Sequence, residues 1–105
     1  MSTILDRAHF DHMTGADRPL QLEILELFQM QVEGWRSAIA ADAGWREAVH
    51  TMKGSARGIG LAALAAACEA AETADEAGRA PALRRVEAAL TEALAALEKF
   101  AADAD

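Results

Sequence analysis

Apolar residues fall on helical spacings along almost the whole chain. Phe10 and Met13 predict a short helix from Asp6 to Met13, with both residues inward and Gly15 closing it. Asp17 then reads as the N-cap of a second helix that tolerates Pro19 in its first turn and runs to about Ala41. Its apolar stripe is Leu25, Phe28, Val32, Trp35 and Ile39, at alternating spacings of three and four. Asp42-Ala43-Gly44 reads as a turn. A third helix starting near Trp45 turns Val49, Met52, Ala56 and Ile59 inward, and Gly58 and Gly60 mark a bend or break at its end. A fourth segment, Leu61 to about Ala77, sets Leu64, Ala67, Cys68 and Ala71 at helical spacing, small enough for close approach to neighbours. Gly78-Arg79-Ala80-Pro81 is the clearest stop-and-restart signal. The last helix uses Leu83, Val86, Leu90, Leu94 and Leu97, with Phe100 near its end, and the tail from Ala101 to Asp105 is expected to fray.

Long helices joined by short turns predict an all-α fold: an antiparallel up-down four-helix bundle with a short N-terminal capping helix. The 105 residues suffice for one core, so residues 1–105 are expected to form a single, monomeric domain. Composition agrees, since alanine, leucine, glutamate and arginine dominate and β-branched residues are few. A net charge of −7 argues against sequence-independent nucleic-acid binding, which needs a basic footprint, and against docking on anionic membranes. Cys68 is the one cysteine, so an intrachain disulfide is excluded, and on an apolar face it is expected to be a small buried hydrophobe. The stretch Met1 to Asp6 lacks the basic and apolar regions of a signal peptide, and the longest apolar run, near Ile59 to Cys68, is too short to span a bilayer. The expected location is cytoplasmic.

The chemistry concentrates in His50-Thr51-Met52-Lys53-Gly54-Ser55. Residues three and four apart on a helix are surface neighbours, so Lys53 and Gly54 both flank the His50 ring, with Arg46 one turn before and Arg57 two turns after. Neutral imidazole is a nucleophile, and attack on an activated phosphate gives a reactive phosphoramidate. Phosphoryl transfer asks the protein for positioning and charge stabilisation, which Lys53, Arg57 and Arg46 are placed to supply. Gly54 costs the helix roughly 1 kcal/mol relative to alanine and leaves room for a partner's backbone. Glu47, one turn before His50, reads as a surface residue, because a carboxylate there repels an incoming phosphoryl group. His9 and His12 fall short of the three or four ligands a metal site needs and read as the polar face of a short helix. Trp35 and Trp45 read as packing anchors near the turn.

The stretch from Ala48 to Glu72 resembles the signature of histidine-containing phosphotransfer (HPt) domains of two-component phosphorelays. His50, Lys53-Gly54-Ser55-Ala56, Ile59-Gly60, Leu64, Cys68 and Glu72 stand at that family's spacing. Met52 replaces a commoner leucine, and Ala67 and Ala71 stand where bulkier residues are frequent. The resemblance implies that His50 is phosphorylated, that Lys53 faces the phosphate and that Gly54 gives clearance. The implied partners are response-regulator receiver domains and a hybrid histidine kinase. No cofactor is implied for this chain, since the receiver supplies Mg2+. Spacing alone assigns Glu72 no task beyond a structural polar contact. Dimerising kinase helices, by contrast, place an acidic residue after the histidine and a proline soon beyond, whereas Thr51 follows here and no proline stands between His50 and Pro81. A phosphate-cradling loop is absent, so the chain is expected to carry phosphate without ATP-dependent kinase activity. The alternative is a non-catalytic helical adaptor that uses the same face.

Overall fold

The computed structural model describes residues 4–41 and 44–103. Among these residues the structure is helical throughout: α1 (Arg7–Thr14), α2 (Arg18–Ala40), α3 (Trp45–Ile59), α4 (Ala62–Thr73) and α5 (Glu76–Ala102). Helix α3 packs against α2 and α4, α5 closes on α4 and α2, and α1 lies against α2 and α3. None of these helices is long and apolar enough to cross a membrane.

Aspartate side-chain caps set the starts of α1, α2 and α5. The Asp6 carboxylate accepts from the His9 N–H at 3.0 Å, and that of Asp17 accepts from the Leu20 N–H at 3.1 Å. Gly60 ends α3 at φ +101°, a conformation that favours glycine. Its carbonyl accepts the Asp6 N–H at 2.9 Å, and a Cβ there would stand 3.0 Å from the Asp6 carbonyl oxygen. The end of α3 thereby seats the start of α1. Gly58 lies inside α3 and does not break it.

Three sequence expectations need correction. The break between the last two helices falls at Ala74–Asp75, not at Gly78-Arg79-Ala80-Pro81. Asp75 caps the Gly78 N–H at 2.8 Å, so the glycine and Pro81 both fall in the early turns of α5. A strong cap outweighs two weak helix formers near a terminus. Met13 points outward and is 59% exposed. The buried position is Thr14, whose hydroxyl donates to the Phe10 carbonyl at 2.7 Å and accepts from Gln21 Nε2 at 2.9 Å. The tail is also ordered further than expected. Helix α5 reaches Ala102, and Arg18 donates to the Phe100 and Ala101 carbonyls at 3.0 and 3.3 Å while lying over the Phe100 ring. A cation on the last carbonyls satisfies groups that fraying would otherwise hand to water. Asp42 and Ala43 of the expected turn, and residues 104–105, lie outside the described residues.

One core holds the helices together. Val49, Met52 and Ala56 of α3 meet Leu64, Cys68 and Ala71 of α4 and Val86, Leu90 and Leu97 of α5, all essentially fully buried. Trp35 and Trp45 are buried, as expected of packing anchors. The small residues Ala65, Cys68 and Ala71 let α4 approach closely, so short acidic side chains on its rim can reach α3.

Candidate functional site

The inward turn of Val49, Met52 and Ala56 leaves His50 on the solvent face of α3, with its side chain 69% exposed. One ring nitrogen is nevertheless fixed. His50 Nδ1 lies 2.9 Å from Glu72 Oε2, on α4. An ionised carboxylate only accepts hydrogen bonds, so Nδ1 carries the proton and donates it, leaving the lone pair on Nε2. The free nitrogen is the nucleophilic one.

Glu72 also reaches Lys53. Its Oε1 is 2.5 Å from Lys53 Nζ, and Nζ donates to Glu69 Oε2 at 2.8 Å. A continuous chain results: His50, Glu72, Lys53, Glu69. Exposure differs sharply along it. The side chains of Lys53 and Glu72 are 13% and 18% exposed, that of Glu69 52%. Hydrogen bonding to Glu69, then to Glu72, raises the Lys53 pKa above its ordinary value. The bond from Lys53 lowers Glu69 below the usual carboxylate range, and Glu72 is lowered first by Lys53 and then by His50. All three are charged at neutral pH. Beneath them, burial and the nearby Glu72 charge push the Cys68 thiol up to about 11, which makes it a poor nucleophile.

The remaining residues singled out from sequence divide into two groups. Gly54 is exposed, and a Cβ built on it would meet nothing within 4 Å. Among the described residues nothing requires a glycine there. Arg57 is exposed one turn further on, close enough to Glu69 for its charge to help lower that carboxyl; its main-chain carbonyl accepts from His9 Nε2 at 3.1 Å. Arg46 is engaged with its own protein. Its guanidinium donates to the Glu72 main-chain carbonyl and lies 4.6 Å from the Trp45 ring centroid, tying the end of α4 to the start of α3. Glu47 is exposed, and the carboxylate that orients the ring is Glu72.

Sequence reasoning named Glu72 without its task and missed Glu69 altogether. Glu69 and Glu72 are three apart and share one face of α4; that repeat was visible, but not the face it would meet. An apolar groove also went unseen. Met13 of α1 with Ile24, Leu27 and Phe28 of α2 line it, and Ser55 and Gly58 of α3 complete it. Leu27 and the neighbouring Met30 are 54% and 69% exposed. Gly58 stands one turn after Gly54, so the groove continues the stripe that begins at His50.

A protein-family model described as Hpt domain matches residues 23–100, which takes in most of α2 and all of α3 and α4. No curated protein and no solved structure matches the chain significantly.

Proposed function

The chain belongs to the Hpt domain family, and from that premise we propose that it relays a phosphoryl group between receiver-domain aspartates through His50. The observation that carries the reading is a solvent-facing Nε2 whose partner nitrogen is held by Glu72 at 2.9 Å, with the bare Gly54 one turn away. Fixing the tautomer and ring orientation in advance is the positioning that phosphoryl transfer rewards.

The Nε2 lone pair attacks phosphorus in line with the bond to the aspartyl oxygen. An N–P bond forms as the O–P bond breaks, and the carboxylate departs with its electron pair. No proton has to move. The ring gains positive charge while its Nδ1–H stays on the Glu72 carboxylate, which stabilises that charge. Lys53 offers its ammonium to the charge on the phosphoryl oxygens, and a Mg2+ ion held by the receiver would supply further charge stabilisation there. The second transfer runs the same steps in reverse, with direction set by partner affinity and concentration.

The receiver sits over Gly54 with its apolar surface in the groove beside Gly58, since that groove is continuous with the His50 stripe. Arg57 lies at its edge, and a hybrid histidine kinase is the upstream source of phosphate. The working form is a cytoplasmic monomer: four longer helices in up-down antiparallel order, with α1 as the cap.

The test is transfer from a panel of receiver domains charged with radiolabelled acetyl phosphate, to the native chain and to His50→Gln. Acid-labile, alkali-stable label on the native chain alone is expected. Binding of a receiver by both proteins, with label on neither, would replace the relay by an adaptor that uses the same face.

A further inference from the structure

We infer that Glu69 is a positioning residue that holds the Lys53 ammonium while His50 is free and releases it to the phosphoryl group once Nε2 is phosphorylated. This deepens the relay reading and rests on it. Glu69 then sets how phosphate partitions between His50 and the receiver aspartate.

The Lys53 ammonium donates to Glu69 Oε2 at 2.8 Å and is ion-paired with Glu72 Oε1 at 2.5 Å. The two carboxylates are not equivalent. Glu72 is anchored at three points: Oε1 on Lys53, Oε2 on His50 Nδ1, and its main-chain carbonyl on Arg46. With its side chain only 18% exposed, it has little access to water if Lys53 leaves. Glu69 is 52% exposed, and Lys53 is its one hydrogen-bonded side-chain partner among the described residues, with the Arg57 charge acting on it without a bond. Water replaces that partner at small cost.

A phosphoryl group on Nε2 brings nearly two negative charges to a surface that already holds Glu69 and Glu72. Lys53 sits one turn after His50, and its largely buried stem keeps the ammonium between α3 and α4. The least costly response is to keep Glu72, drop Glu69 and turn the freed donors to the phosphoryl oxygens. Lys53 stays protonated throughout; only its acceptor changes. Glu69 is therefore a competitor of the phosphoryl group, both for the cation and through its own charge.

The experiment is the equilibrium partition of radiolabel between the chain and whichever receiver labels His50, for native protein, Glu69→Gln, Glu69→Asp, Lys53→Met and the double variant Lys53→Met/Glu69→Gln. Glu69→Gln is expected to move label toward His50 by about two- to five-fold, the range of an exposed ion pair. Glu69→Asp keeps the charge and is expected to stay near native. In the Lys53→Met background the Glu69→Gln shift is expected to vanish, since coupling through Lys53 is what the cycle isolates. An unchanged partition in Glu69→Gln overturns the inference, and so does a shift that persists without Lys53, which would mark a bare field effect. A native chain that takes no label from any receiver is a different result, and it removes the relay reading itself.

Discussion

Two polar clusters in this molecule use similar bonds to opposite ends. Where α1 meets α2, Gln21 donates to Asp11 Oδ1 at 2.8 Å and to Thr14 Oγ1, and Thr14 donates to the Phe10 carbonyl. Gln21 and Thr14 are buried, and both amide donors of Gln21 and the hydroxyl of Thr14 are spent within the protein. Between α3 and α4, the chain His50–Glu72–Lys53–Glu69 is just as connected, but one end is left unspent: Nε2 faces solvent on a side chain 69% exposed. A closed network fixes a helix; an open one aims a reactive atom. Function here lies in what the network leaves over.

The sharpest break of that comparison is His50→Gln. It should abolish labelling completely while shifting stability by no more than about 0.5 kcal/mol, because the ring is a surface group; transfer assays and thermal melts on one preparation check both. The mirror experiment is Gln21→Ala, expected to cost roughly 1–2 kcal/mol by urea titration while the folded protein transfers phosphate at the native rate. Glu72→Gln lies between. A neutral amide can accept from Nδ1 or donate to it, so the tautomer is no longer dictated, and single-turnover transfer should slow about ten-fold, as expected on losing a charge-assisted bond. Gly54→Ala meets no obstacle within 4 Å, so the fold should gain roughly 0.5–1 kcal/mol while the receiver binds more weakly, as read by calorimetry.

The smallest expected effect is acid sensitivity. Glu69 and Glu72 have depressed pKa values in the folded state, chiefly through their bonds to Lys53. Their contribution is therefore fully present above about pH 4.3, the unfolded carboxylate value, and is lost as pH falls through the lower folded values. Thermal melts between pH 6 and pH 3 should show a shallower decline in Glu69→Gln/Glu72→Gln than in the native chain. An identical decline would mean that these pairs add nothing to folding.

Local signals in the chain determined the helices and the exposed stripe. Asp6 and Asp17 announced two helix starts, and the spacing of Val49, Met52, Ala56 and Ile59 placed His50 and Gly54 toward solvent, with Lys53 beside them. These features depend on bonds within four residues and on which side of one helix is apolar, so pattern suffices to find them. The boundary at Asp75 was misplaced because one capping bond outweighed the more visible glycine and proline. Tertiary structure alone decided the rest. Glu72 and Glu69 stand 22 and 16 residues from the groups they hold, and whether α4 turns them toward α3 depends on how its small residues pack. Periodicity gives the face of each helix; the rotation of one helix against another follows only from filling the shared core.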